Sequence, residues 1–157
     1  TLSVNNKNSS EIWDSFRVGN RAKVINSTLN NQTNTTSIIG EHNGYNFIEK
    51  NLTHQRKIEI DKFQISIIDK LTRSGHSAIV KFHLHPDIDI SCNNENKCGV
   101  LILPNGNKIE WIAECEKIYI KDSEYASEFG ILNKTKTLCL SGKDFLESKL
   151  LIYIASK

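Results

Sequence analysis

His54-Gln55-Arg56-Lys57-Ile58-Glu59-Ile60 and Phe63-Gln64-Ile65-Ser66-Ile67-Ile68-Asp69-Lys70-Leu71 carry the clearest structural signal in the chain. Each stretch alternates apolar and polar residues, and only Asp61-Lys62 separates them. Successive side chains of a strand point to opposite faces, so such alternation gives each arm one apolar face. Two residues are enough to turn one strand back on its neighbour, which makes this a tight β-hairpin resting on a core.

The same signal recurs outward from the hairpin. Upstream, strands are expected over 13–18 and 21–29, joined by the turn pair Gly19-Asn20, followed by an exposed polar loop over 30–36. Weaker strands at 36–39 and 45–48 flank His42-Asn43-Gly44. Downstream come 76–85, 88–91, 99–103 and 108–113, with Pro104-Asn105-Gly106 turning between the last two. Strands at 117–121, 126–132, 136–140 and 149–155 complete the series, and 144–147 offers at most one helical turn. Ten or more short strands with turns between them predict an all-β fold, an antiparallel β-sandwich, with residues 1–157 as a single domain.

Composition agrees. The chain has 157 residues, with 21 Ile against only 5 Ala, and β-branched side chains suit a pleated surface better than a helix. Lys and Arg number 20 against 18 Asp and Glu, a net charge of +2 with no basic block, which argues against nucleic acid as a partner. The longest apolar runs are far shorter than a membrane-spanning helix needs, so no membrane span is expected. The chain opens at Thr1 without Met or a signal-like segment, and reads as a fragment of a longer protein. Asn-X-Ser/Thr triplets begin at Asn8, Asn26, Asn31, Asn34, Asn51 and Asn133, but with 17 Asn in the chain several arise by chance.

The residues capable of chemistry give several readings. Cys92, Cys98, Cys115 and Cys139 contain no Cys-X-X-Cys pair, so a structural zinc site is not expected. Cys115 and Cys139 read as small buried hydrophobes, whereas Cys92 and Cys98 flank a polar loop and could close a hairpin disulfide in an exported protein. In Phe82-His83-Leu84-His85-Pro86 a strand would send both imidazoles to one face, a metal-ligand spacing, with Asp87 or Asp89 nearby. The competing structural reading has the two rings hydrogen-bonded within the sheet and Pro86 ending the strand. His42, His54 and His76 carry no mark of partnership. Asp69, Asp122 and Glu124 lie toward strand ends, where lysine pairing or turn capping is the usual role. No Gly-X-Ser-X-Gly elbow or glycine-rich phosphate loop is present. Trp13, Trp111, Tyr119 and Tyr125 either fill the core or, if exposed, could stack on sugar rings.

Several segments occur in a telling order: Ser15-Phe16-Arg17-Val18-Gly19-Asn20-Arg21-Ala22, Thr53-His54-Gln55-Arg56-Lys57-Ile58, Ile67-Ile68-Asp69-Lys70-Leu71, Gly75-His76 and Phe82-His83-Leu84-His85-Pro86. Asp122-Ser123-Glu124-Tyr125 and Phe129-Gly130 follow. Together they resemble the C-terminal part of the heparinase II/III-like polysaccharide lyases, over nearly the whole chain. The resemblance implies a β-sandwich that follows an N-terminal helical toroid. It also implies a parent reaction of β-elimination, in which a base removes the proton beside a uronate carboxyl group and an acid protonates the leaving oxygen.

The family's catalytic Tyr and His, its His-X-His segment and its metal-binding Asp lie upstream of every matched residue. The family's His-Asn-Thr segment would end at Thr1. No catalytic, metal or cofactor residue is therefore expected here, and Arg56, Asp69, His83, His85 and Tyr125 are expected to be structural. The implied partners are the upstream catalytic domains and an acidic polysaccharide, in a periplasmic or secreted setting if the parent is typical. Two rival readings remain: a free-standing carbohydrate-binding module, and a cupin-like barrel binding metal through His83 and His85. Residues 3–10 have little to bury and are expected to fray, while 13–155 folds around its apolar residues. An apolar patch facing the missing domains would favour self-association.

Overall fold

A computed structural model describes residues 2–14 and 17–154 of the chain. Among them are fourteen strands and no helix. They are β1 (Leu2–Val4), β2 (Ile12–Asp14), β3 (Arg17–Val18), β4 (Val24–Asn31), β5 (Thr35–His42), β6 (His54–Asp61) and β7 (Gln64–Leu71). The second half adds β8 (Ala78–His83), β9 (Asp89–Asn93), β10 (Cys98–Ile102), β11 (Lys108–Glu114), β12 (Lys117–Glu128), β13 (Ile131–Gly142) and β14 (Glu147–Tyr153). Every pairing is antiparallel. A four-stranded sheet in the order β1-β8-β13-β12 faces an eight-stranded sheet in the order β4-β5-β6-β7-β14-β11-β10-β9, and β2 and β3 form a small separate ribbon.

The core lies between the two large sheets. Val80 and Leu140 of the smaller sheet and Trp111 and Leu150 of the larger are almost completely buried, with Phe145 among them. Gly99 pairs directly with Trp111, and a Cβ there would fall 2.0 Å from the Ser91 carbonyl oxygen and 2.6 Å from the indole. Only glycine lets the indole lie against that strand.

Five expectations about the elements need correction. The stretch 3–10, expected to fray, starts inside the sheet: β1 pairs with β8, Val4 is wholly buried, and the Asn5 side chain accepts from the Ser77 amide at 3.0 Å. Three residues of edge strand, two of them apolar, bury enough to hold this segment against β8. The expected strand at 45–48 is a series of turns, with Ile48 N–H donating to Tyr45 O and Leu52 N–H to Glu49 O. Tyr45, Ile48 and Leu52 recur three and four residues apart, a spacing that suits turns plugging the end of a sandwich and not a period-two strand.

The expected strand at 126–132 is the tip of a hairpin. β12 and β13 run twelve residues each and reverse at Phe129-Gly130, where Gly130 has φ of 79°. The expected strand over 13–18 reverses on itself, because β2 pairs with β3; Ser15 and Phe16, like Thr1 and Ala155, lie outside the described residues. The loop expected at 30–36 shrinks to 32–34, since Asn30 and Asn31 pair with Ser37 and Thr36.

Candidate functional site

The most concentrated group of ionisable side chains sits where β5, β6 and β7 run side by side. Register places His42 opposite His54, and Gly40, Arg56 and Asp69 across from one another in the adjoining row. All of these residues project toward the smaller sheet, on the same face as buried Leu71.

Asp69 is 1% exposed, and both of its carboxylate oxygens are engaged. Oδ1 accepts from His54 Nε2 at 2.7 Å and from Arg56 Nε at 2.9 Å, while Oδ2 accepts from Arg56 Nη2 at 3.0 Å. The guanidinium also lies 5.4 Å from the Phe82 ring of the facing sheet, so the ion pair ties the two sheets together. Burial pushes the Asp69 carboxyl up, but the hydrogen bonds from His54 and Arg56 and the guanidinium charge outweigh it and hold it below the usual carboxylate range.

The hydrogen bonds fix the proton positions along this line. His54 donates through Nε2 to Asp69, so its Nδ1 must accept, and His42 Nε2 lies 3.1 Å from it as the donor. His42 Nδ1 is then an acceptor, and it receives the Gly44 amide at 3.1 Å. Burial, with the neighbouring His54, lowers the His42 pKa to about 4, although Glu41 pulls the other way. The line therefore runs Gly44 N–H, His42, His54, Asp69. A carboxylate–imidazole line activates a nucleophile when a hydroxyl or thiol stands at its end. Here the backbone amide of Gly44 stands at that end of the line.

This grouping differs from the sequence expectation. Asp69 lies inside β7 and pairs with Arg56 and His54, not with a lysine at a strand end. The two histidines that carried no mark, His42 and His54, are its companions. Tyr45 joins them from the turn segment. Its hydroxyl donates to Leu2 O at 2.5 Å and is pushed up in pKa by burial and by the Asp69 charge.

His83, His85 and Tyr125 lie elsewhere. β8 ends at His83, so the strand geometry that would align His83 with His85 stops short of the second ring. His83 Nδ1 is 3.0 Å from the Thr137 hydroxyl, whereas His85 Nδ1 is 3.4 Å from Asp87 Oδ2 and its ring packs 5.4 Å from Tyr125. Among the described residues no group of three His, Cys, Asp or Glu is arranged to hold a metal ion. Cys92 and Cys98 are free, and register explains why they do not face one another. Cys92 pairs with Gly99 and Cys98 with Asn93, so the two thiols leave opposite faces of the β9–β10 ribbon. The tryptophans divide: Trp111 is a core residue and Trp13 is 69% exposed on the small ribbon.

Comparison with known proteins follows the fold. A family model described as heparinase II/III-like, C-terminal, matches residues 1–152. No curated protein sequence matches the chain. Among solved structures, the heparan sulfate lyase HepC from Pedobacter heparinus superposes with a TM-score of 0.75 at 15% identity, over 98% of this chain and 23% of that one. The heparinase III BT4657 gene product superposes with a TM-score of 0.73 at 16% identity, over 100% of this chain and 23% of that one. The chain thus spans less than a quarter of the length of either solved enzyme.

Proposed function

Because the chain belongs to the heparinase II/III-like family, as its C-terminal domain, we propose that it is the non-catalytic β-sandwich of a polysaccharide lyase and buttresses the catalytic parts of its parent. The parent reaction is β-elimination on a uronate-containing glycan, which needs a base beside the uronate carboxyl group and an acid at the leaving oxygen. The observation that carries the reading is the match over residues 1–152 by a chain that spans 23% of the solved lyases. Two features of the molecule support a buttressing role. The buried line from Asp69 ends on an amide, and the larger sheet reaches well beyond the smaller one. Leu29 and Ile38 lie on the same face as buried Leu150, yet are 66% and 43% exposed. Apolar positions on the core side of a sheet are suited to packing against further protein.

Elimination leaves a conjugated, unsaturated uronate that absorbs ultraviolet light. The purified chain mixed with heparin, heparan sulfate, alginate or hyaluronan is expected to give no rise in absorbance above buffer. A steady rise that scales with the concentration of pure chain would sink the reading.

A further inference from the structure

The two large sheets have four edges, and three of them are protected against pairing with another chain. β1 is three residues long, β9 is five residues long and opens on Asp89, and β12 carries Lys117, Lys121, Asp122, Glu124 and Glu128. Short edges and charged side chains are the usual obstacles to strand addition. β4, the outermost strand of the eight-stranded sheet, has neither. Its eight residues, Val24-Ile25-Asn26-Ser27-Thr28-Leu29-Asn30-Asn31, include no charge and no proline, and all of them are exposed.

The phase of the β4–β5 ladder fixes which backbone groups are open. Gln32 N–H donates to Thr35 O at 2.9 Å beside the turn, and the register then runs without a shift from Asn31 with Thr36 to Asn26 with Glu41. Bonded and non-bonded pairs alternate in an antiparallel ladder, so Asn30, Thr28 and Asn26 turn their N–H and C=O groups to β5. Ser27, Leu29 and Asn31 turn theirs to the open side, where β4 has no neighbouring strand. The chain's own residues do not cover them. Those outside 2–14 and 17–154 form stretches of at most three, too short to supply a strand for this edge.

We propose that β4 pairs antiparallel with β4 of a second copy of this chain, about a two-fold axis at Leu29, so that the two eight-stranded sheets become continuous. The strand is complementary to itself. Two-fold symmetry sets Leu29 beside Leu29 of the second copy, Thr28 beside its Asn30 and Ser27 beside its Asn31, and the open donors of each copy meet the open acceptors of the other. Apolar side chains meet apolar ones, small polar side chains meet small polar ones, and no charge is brought opposite another. The irregular register between Val24 and Asn26 lies outside the paired residues. Leu29, 66% exposed, gains a neighbour of its own kind. One strand from each copy falls short of the about 1,200 Å² that a stable interface buries, so the pairing is weak, with Kd on the order of 100 µM. It uses the edge of β4 and leaves the core-side face to the buttressing contact, so the two do not compete.

The test follows the 157-residue chain by light scattering and by residue-resolved amide hydrogen exchange from about 10 µM to about 1 mM. Scattering should move from mostly monomer to mostly dimer, and the amides of Ser27, Leu29 and Asn31 should exchange about fourfold more slowly at the higher concentration. The amides of Asn26, Thr28 and Asn30, already bonded to β5, should not change. Leu29→Lys sets two like charges side by side, and Leu29→Pro removes an edge-facing donor without touching the β5 ladder; each should leave the chain monomeric. The exchange pattern of the unaltered chain keeps the test decisive even if a variant folds poorly. A monomer at about 1 mM would overturn the pairing. So would a dimer whose protection spreads evenly over 24–31 or falls on other strands, and so would a dimer that both folded variants still form. Each of these results leaves the buttressing role intact, because that role is read from ultraviolet-absorbing product and not from association.

Discussion

Two neighbouring rows on the core face of the eight-stranded sheet make an instructive pair. One runs Ser27, Gly40, Arg56, Asp69 and Ser148 across β4, β5, β6, β7 and β14. The next runs Leu29, Ile38, Ile58, Ile67 and Leu150, continuing to Ala113 on β11. They lie two residues apart on the same strands, and their burial does not follow their hydropathy. The carboxylate of the first row is 1% exposed, while the leucine that begins the second is 66% exposed. Burial follows what the facing sheet covers. Phe82 and the Tyr45 segment close over the ionic row, and four strands cannot cover eight.

The largest expected effect breaks the ionic row. Asp69→Ala leaves the Arg56 guanidinium without its buried partner and His54 without its acceptor, and should cost about 3–5 kcal/mol in urea unfolding. Replacing all three members, as His54→Leu/Arg56→Met/Asp69→Leu, should cost less than Asp69→Ala alone, because no uncompensated charge remains buried. If the triple variant proves the less stable of the two, the row contributes directional bonding that apolar packing cannot replace. On the apolar row, Leu150→Ala opens a cavity in the core and should cost about 2–4 kcal/mol.

The pH dependence separates the two rows further. His42 has a depressed pKa, so the unfolded chain binds the extra proton first, and stability is lost as pH falls from about 6.5 toward about 4. With solvent screening of a half-buried ring the loss should be about 1–2 kcal/mol, and His42→Gln should flatten thermal stability across that window. Asp69 also has a depressed pKa, so its contribution holds above its unfolded value near pH 3.9 and is lost below it, as pH falls through the folded pKa. The apolar row has no titrating group and should show neither step.

Smaller effects sharpen the contrast. Ser148 stands opposite Asp69, but its buried hydroxyl finds no hydrogen-bond partner. Ser148→Ala should therefore be neutral or stabilising by up to about 1 kcal/mol in chemical denaturation. Leu29→Ser, at the uncovered end of the apolar row, should change the stability of the chain by less than about 0.5 kcal/mol. A cost above about 1 kcal/mol in the isolated chain would mean that Leu29 is already packed, and would remove one support for the buttressing role.

Much of this was legible in the residues. The period-two alternation around Ile58 and Ile67 gave the central hairpin, and the profusion of isoleucine gave the all-β class, because both signals are local. Tyr45 and the β12–β13 tip depart from the sequence expectation for local reasons as well. The apolar residues Tyr45, Phe47 and Ile48 imitate a short strand within one segment, and Phe129-Gly130 sits inside an otherwise apolar run. The rows themselves were not legible. His42, His54 and Asp69 are separated by 12 and 15 residues, and nothing in any one segment announces the others.

The hairpin shows where the boundary falls. Sequence alone determined that β6 and β7 exist, that they pair antiparallel, and that each has an apolar face, because period and composition act within a few residues. It did not determine their register. A turn at Asp61-Lys62 would place Arg56 opposite Ile67. In the folded chain Asp61 Oδ1 accepts from the Phe63 and Gln64 amides at 2.7 and 2.9 Å, the turn moves to Lys62-Phe63, and Arg56 meets Asp69. Which carboxylate is buried, which histidines it holds, and which leucine is left in the open were decided by that one-residue choice and by the smaller sheet that covers it. Pairing and cover join residues far apart in the chain, and only the assembled sheets bring them together.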